Sequence, residues 1–509
     1  MQLLSEMFER SAKESKEKPA VLFEEKEVTY QELKELTDKM TNGLQEMGIE
    51  PGERILEFMT NRIEFVISHF GIIKSGATAV PINVMYKPYE IVYIANDTQA
   101  KGIVTESHLF PIVLECMPQI PTLKYVIVLG ETIPEGTLSF QSLISKAGTT
   151  FRKPDASVDD IVSIIYTSGT TGKPKGATQT HRSIYMNVIG DIAANKLTSS
   201  DRLVCALPLF NNFALSVLLM PTFFIGGSMV LVDRFEAGKV LDRLSRFKGT
   251  YYAGTPTMYI YLLEHLDPKI HNLQSLRVVN SGGAHCPYEV IKDFEDKFGA
   301  DFLDGYGFTE GCGFSTLSPL VGIRKKNSVG IPISNIRVKV VDDYDQEVPK
   351  GTVGEICDKG DHHSIHCYWN NSEANTKSYR GGWFYSGDMG YLDEDGYLYI
   401  TDRKADLIIT GGQNIYPVEV EQIIYTHPKV AMAAVIGIPD KVKGELAKAY
   451  IVLKPGESTT EQEIIEFVRS RIAKYKAPRL VEFVKSLPQG PTGKILKREL
   501  REEILKSKR

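Results

Sequence analysis

The 509-residue chain has few of the features that would tie it to a membrane, a metal cluster or the secretory route. Its six cysteines, at 116, 205, 286, 312, 357 and 367, are scattered without a CxxC spacing, which argues against both a zinc site and a disulfide framework. No apolar run is long enough to span a bilayer, and Met1-Gln2-Leu3-Leu4-Ser5-Glu6 lacks a basic-then-apolar signal pattern, so a cytoplasmic protein without a transmembrane segment is expected. No nucleic-acid partner is expected. The cluster His362-His363, His366 and Cys367 lies in a polar linker ahead of Tyr368-Trp369. It reads as a solvated loop, because a structural metal site pairs such ligands with a second spaced set.

What is present is ordinary in composition, with 42% hydrophobic and 24% charged residues, and too long for a single core. The net charge of −5 is unevenly spread. From Arg403 onward there are 20 Lys+Arg against 13 Asp+Glu, or +7, which leaves −12 for the rest. A basic C-terminal part suits an anionic partner such as a nucleotide-bearing thiol, and equally a plain solvated face.

The most informative stretch is Tyr166-Thr167-Ser168-Gly169-Thr170-Thr171-Gly172-Lys173-Pro174-Lys175-Gly176, directly after the buried-strand run Ile161-Val162-Ser163-Ile164-Ile165. Glycines let backbone N–H groups approach an anion, hydroxyls donate further hydrogen bonds and two lysines add charge, which together suit polyphosphate. The spacing is not that of a P-loop, which needs four residues between its first Gly and the Gly-Lys pair, then Ser or Thr. Here Gly169 is followed by two threonines, Gly172 and Lys173, and then by Pro174.

This stretch resembles the phosphate-loop signature of the adenylate-forming superfamily of acyl-CoA synthetases, luciferases and peptide-synthetase adenylation domains. Asp304-Gly305-Tyr306-Gly307-Phe308-Thr309-Glu310 resembles the family's Y-G-x-T-E motif. The resemblance implies Tyr306 against adenine, Thr309 on a phosphate oxygen and Glu310 as the magnesium ligand. Gly382-Trp383-Phe384-Tyr385-Ser386-Gly387-Asp388 resembles G-W-x-x-T-G-D, with Asp388 accepting from the ribose hydroxyls. Asp402-Arg403-Lys404-Ala405-Asp406 resembles the hinge, with Arg403 reaching ribose and phosphate and Ala405 at the pivot that relatives fill with Lys or Asp. Leu487-Pro488-Gln489-Gly490-Pro491-Thr492-Gly493-Lys494-Ile495 resembles the closing motif, whose lysine, here Lys494, is catalytic.

Other segments follow the same resemblance. Val278-Val279-Asn280-Ser281-Gly282-Gly283-Ala284 is a strand running into small residues, and Gly283 and Ala284 are implied to border adenine. Phe210, Asn211 and Asn212, with Gly254 and Thr255, are implied to line the acyl pocket. Amino-acid-activating relatives carry an Asp in the first of these places; Asn211 and Asn212 leave a buried ammonium without its counter-charge there. Gly411 and Gly412 resemble the face presented when the thiol attacks. Cys367 stands where relatives usually carry Gly.

The implied fold is α/β: a large N-terminal domain (1–402) of doubly wound sheets with a distorted β-barrel subdomain, and a small mobile α+β C-terminal domain (403–509). Alternating strand and helix patterns up to about residue 150 support the doubly wound part independently. Two strand–helix alternations are expected after Glu419. The implied activity is ATP- and Mg2+-dependent activation of a carboxylic acid to an acyl-adenylate, then transfer to coenzyme A. The expected acid is a medium- to long-chain fatty acid, because the 207–225 stretch is aliphatic and aromatic. An acyl carrier protein as acceptor and an aryl or other acid are the alternatives, and a homodimer is an expected assembly. A luciferase-like oxygenase and a non-catalytic nucleotide sensor are weaker readings. The tail Leu505-Lys506-Ser507-Lys508-Arg509 lacks Ser-Lys-Leu, and a sensor has no need of Lys494 and Glu310.

Overall fold

Alternating strands and helices in the first 180 residues build a seven-stranded sheet. The computed structural model describes residues 1–167, 174–364, 367–403, 406–410, 413–440 and 442–507. In spatial order the sheet runs Leu138–Ser139, Tyr125–Leu129, Gly102–Glu106, Arg54–Phe58, Thr78–Pro81, Ile161–Thr167 and Lys175–Thr180. All pairings are parallel except the last, between Ile161–Thr167 and Lys175–Thr180. A second, nine-stranded sheet has a parallel centre made of Pro19–Phe23, Ser228–Leu231, Arg202–Cys205, Tyr251–Gly254, Val278–Ser281 and Asp301–Phe308. Antiparallel strands flank it at both edges.

The helix Ile63–Ser75 is buried on every side except at Glu64, as its nearly unbroken apolar sequence demands. Its side chains share one core cluster with Ile55 and Val104 of the first sheet and Leu203, Met229 and Tyr251 of the second. Its polar members are paired. His69 Nδ1 lies 2.8 Å from Glu57, and Lys74 bonds Asp38 and Glu9. The early Thr29-Tyr30 element is structural: Thr29 and Glu32 form a capping box for the helix Tyr30–Glu46, while the buried Tyr30 hydroxyl donates to Gly227 O at 2.8 Å.

The part expected as a barrel-like subdomain is a five-stranded antiparallel sheet. Arg337–Val341, Gly354–Lys359 and Trp383–Leu392 lie side by side, and Tyr379–Arg380 and Leu398–Arg403 both pair with Trp383–Leu392.

The C-terminal unit carries Ile408–Thr410, Gln413–Ile415, Val430–Asp440, Gly444–Leu453 and Leu480–Phe483 in one sheet, with helices Pro417–Tyr425, Glu461–Arg469 and Lys497–Ser507. One expectation fails here. After Pro417–Tyr425 comes a long antiparallel hairpin instead of a strand–helix alternation, with Asp440 and Gly444 already register partners. The period-2 pattern of the hairpin separates two cores. Ala433 and Val435 face Ile464 and Val468 inside the unit, while Met432, Ala434, Ile436 and Ile438 join a cluster with Val204, Tyr252 and Phe302 of the large domain. Among the described residues no helix is long and apolar enough to cross a membrane.

Candidate active site

Thr167, Gly254 and Asp304 lie at the carboxyl ends of parallel-paired strand segments, where open α/β sheets bind ligands. Gly254, Ser281 and Asp304 are register neighbours on three adjacent strands. Strand Ile161–Thr167 brings Thr167 to the phosphate loop, and Lys175 returns opposite it as its register partner. Ser168, Gly169, Thr170, Thr171, Gly172 and Lys173 lie outside the described residues, as do Lys404, Ala405, Gly411 and Gly412. The base of the loop is tied to the segment after His366. Trp369 N donates to Gly176 O at 2.8 Å, Thr178 N donates to Cys367 O at 2.8 Å, and Lys175 Nζ sits 5.2 Å over the Tyr368 ring. Cys367 keeps the left-handed geometry that a Gly would adopt there, with φ +42°.

Strand Asp301–Phe308 ends in a single 3-10 turn, Thr309–Gly311, and each of the three carbonyls of that turn is held. Gln179 Nε2 donates to Thr309 O at 3.2 Å, His363 Nδ1 lies 3.1 Å from Glu310 O, and Asn187 Nδ2 donates to Gly311 O at 3.2 Å. The Glu310 carboxylate is held as well, accepting from the Tyr368 hydroxyl at 2.6 Å. Burial first, and then the Glu310 charge, push the Tyr368 hydroxyl far above its usual range, so it stays a donor. Gly307 has no alternative in this stretch: a Cβ would fall 1.9 Å from Gly313 O.

Tyr306 donates from its hydroxyl to Asp388 Oδ2 at 2.8 Å. Asp388 is fixed by Ser386, whose Oγ donates to Ile356 O at 2.7 Å and accepts from Asp388 N at 3.1 Å, so the Ser that replaces the family's Thr keeps the hydroxyl in use. Arg403 is the register partner of Asp388. Asp304 differs from its neighbours. Its side chain points into the protein, where burial raises its pKa well above the usual carboxylate range and leaves Oδ1 without a hydrogen bond. Gly305 packs beneath Phe314.

The wall read as the acyl pocket uses its amides internally. Asn211 Oδ1 accepts from Phe213 N at 2.9 Å as a helix cap, and the buried Asn212 Oδ1 accepts from Gln179 Nε2 at 2.6 Å and Ser216 Oγ at 2.9 Å. Phe210 is buried beside them. The rings of Phe213 and Phe314 meet edge to face, 5.6 Å apart, and both lie against Gly282. Gly283 and Ala284 are exposed, and a Cβ on Gly283 would touch only Thr255 Cγ2, at 3.9 Å.

The C-terminal unit closes on this wall. Lys494 sits on a tight loop in which Gly493 N donates to Gly490 O and Gly490 N to Lys494 O, both at 2.8 Å. Gly493 takes φ +77°, a conformation natural to glycine, and its backbone abuts Thr255. Thr255 Oγ1 donates to Thr492 O at 2.9 Å, so Gly254-Thr255 is where the lysine loop docks. Nearby, Gln422 Nε2 donates to His285 Nε2 at 3.0 Å; burial pushes the His285 pKa down to about 4, which keeps the imidazole a neutral acceptor.

The sequence profile of the AMP-binding enzymes matches residues 8–369, and that of the AMP-binding enzyme C-terminal domain matches 419–494. The chain belongs to the AMP-binding enzymes. It is 32% identical to a long-chain-fatty-acid–CoA ligase of Bacillus subtilis (strain 168), over 97% of this chain and 93% of the relative. To a feruloyl-CoA synthase of Amycolatopsis sp it is 34% identical, over 93% of each. The crystal structure of the anthranilate CoA ligase AuaEII in complex with anthranoyl-AMP matches with a TM-score of 0.95 at 32% identity, covering 99% of this chain and 98% of that one. The protein is therefore an AMP-forming acid–CoA ligase of the adenylate-forming superfamily, with ATP, CoA and a small carboxylic acid as its substrates.

One reading of the ligase's sequence is overturned. His362 and His363 do not lie in a solvated loop; they are 1% and 6% exposed and turned inward onto the buried Asp358. His366 lies outside the described residues. Sequence reasoning also passed over Tyr368, Gln179 and Asn187, which hold the Glu310 turn. A Tyr, Gln or Asn in a strand or helix carries no local pattern that distinguishes a hydrogen bond to a distant carbonyl from one to water.

Proposed function

We propose that this ligase activates a medium- to long-chain fatty acid to its acyl-adenylate and transfers the acyl group to coenzyme A, releasing AMP and pyrophosphate. Asn212 carries the substrate reading: its buried amide oxygen already accepts from Gln179 and Ser216, Asn211 brings no negative charge for a substrate ammonium, and the adjoining Leu215–Leu219 and Met220–Ile225 segments are apolar and largely buried. The fatty-acid relative supports it. A second reading, an aryl acid, is favoured by the Phe213 and Phe314 rings at Gly282 and by the anthranilate and feruloyl relatives.

In this account the carboxylate attacks the α-phosphorus of ATP, the bond to pyrophosphate breaks, and the mixed anhydride forms with AMP as its leaving group. Lys494 donates to the carboxylate and the α-phosphate and holds the two anions together. Residues Ser168–Lys175 and Thr309 receive the phosphates, Asp388 and Arg403 the ribose side, and Tyr306, Gly283 and Ala284 the adenine. Glu310 offers a hard oxygen donor that fits magnesium; when bound, the ion would offset charge on the departing pyrophosphate. The CoA thiol then attacks the acyl carbon and AMP leaves. For that step the C-terminal domain, taken as 403–509, turns at Lys404 and Ala405 to replace the Lys494 loop with the Gly411 and Gly412 face.

Pyrophosphate release with a panel of acids tests the substrate class. Fatty acids of graded length are expected to exceed benzoate-type and amino acids by about tenfold or more in kcat/KM, since each buried methylene contributes about 0.8 kcal/mol. A benzoate- or cinnamate-type acid as the best substrate would establish the aryl reading instead.

A further inference from the structure

We propose that His363, oriented by Asp358, is a positioning residue for the turn that presents Glu310. The inference rests on the reading of Glu310 as the magnesium ligand. Asp358, on strand Gly354–Lys359, is almost fully buried, and both of its oxygens are engaged. Oδ2 accepts from Ser315 Oγ at 2.5 Å and faces His362 Nε2 at 3.1 Å, while Oδ1 faces His363 Nε2. Burial works to raise the Asp358 pKa, but the charges of His363 and His362 outweigh it and hold the carboxyl well below the usual range.

His363 stands between two acceptors, the Asp358 carboxylate on Nε2 and the Glu310 carbonyl, 3.1 Å away, on Nδ1. Through these two contacts the ring ties the turn to a buried carboxylate on a neighbouring strand. The ring cannot swing away, because it stacks on Phe384 at 5.1 Å and Phe308 at 5.9 Å. The Glu310 carbonyl thus faces a ring nitrogen of fixed direction. His362 completes the wall. It donates from Nε2 to Asp358, its Nδ1 has no partner, and its ring edge packs on Gly311, where a Cβ would come within 3.3 Å. Tyr368, ten residues beyond Asp358, bonds the Glu310 carboxylate. One segment therefore clamps this residue twice, by its backbone and by its side chain.

Asp358, His362 and His363 also form a donor set that a metal could use, with ligand atoms within 4.8 Å of one another. The two rings, however, address different oxygens of one carboxylate, and Ser315 shares one of these. That is the pattern of an acceptor between donors, not of ligands converging on a point.

The test uses His363→Phe, which keeps the stacking, and the double variant Asp358→Asn/His363→Phe, which also removes the carboxylate charge left behind and guards against a misfolded single variant. Mn2+ affinity is read by electron paramagnetic resonance on the full chain with a non-hydrolysable ATP analogue. Both half-reactions are measured alongside, with Glu310→Gln as the reference. Both His363 variants are expected to weaken Mn2+ binding by roughly tenfold to a hundredfold, the scale of leaving one buried carbonyl unpaired, and to slow pyrophosphate release. Thioester formation from supplied acyl-adenylate and CoA is expected to stay within about twofold. Unchanged Mn2+ affinity with both half-reactions falling together would overturn the proposal, as would about one zinc per chain in the purified enzyme that is lost with Asp358→Asn. If Glu310→Gln itself leaves Mn2+ affinity unchanged, the reading of Glu310 falls and the proposal falls with it.

Discussion

Lys494→Ala is expected to lower acid-dependent pyrophosphate release by about a hundredfold to a thousandfold, the typical effect of removing one preorganised stabiliser of developing charge. Conversion of a supplied acyl-adenylate to thioester should survive. The structure makes the split sharp. Lys494 stands on a loop closed by Gly490 and Gly493 and docked on Thr255, so truncating its side chain leaves the backbone contacts that seat the C-terminal unit intact. Assaying each half-reaction separately checks this, and an equal loss in both would mean that the residue serves the fold or the docked state as a whole.

Asp388→Ala is expected to reduce kcat/KM for ATP by roughly a hundredfold or more, because two hydrogen bonds to a charged acceptor are worth about 1.5–3 kcal/mol each. Part of any loss comes from Tyr306, whose hydroxyl donates to Asp388 in the structure and would be left without that partner. A substrate analogue separates the two contributions. The native enzyme should discriminate strongly against 2′-deoxy-ATP, and the variant should not. Discrimination retained in the variant would place the ribose elsewhere.

How far these assignments were legible in the sequence depends on how locally their chemistry is written. Ser168 to Lys175, Tyr306 to Glu310 and the residues around Asp388 are each contiguous, so residue type and spacing carry the reading. The same holds for the parallel sheets, since runs such as Ile161–Thr167 and Thr78–Pro81 are apolar and short enough to be strands buried on both faces. The histidines at 362 and 363 were misread because their partner is a strand residue, Asp358, and their surroundings are Phe308 and Phe384 from two other strands; only the tertiary fold supplies those walls. Cys367 illustrates the converse. A non-glycine residue stands where relatives usually carry glycine, and its backbone adopts φ +42° with its carbonyl held by Thr178. The hairpin of strands Val430–Asp440 and Gly444–Leu453 leaves no local signal, because a short polar connection between strands and one leading to a helix look alike in sequence. The docking of Thr492 on Thr255 joins residues 237 positions apart and leaves no trace in either motif.

In this ligase a carboxylate oxygen attacks the α-phosphorus of ATP before any thiol is involved. Supplying an acid labelled with 18O in its carboxylate, with ATP, Mg2+ and CoA, and weighing the products by mass spectrometry tests it most directly. The account predicts one 18O atom in AMP and none in pyrophosphate. Label in inorganic phosphate alongside ADP, or thioester formed without label in AMP, would contradict it.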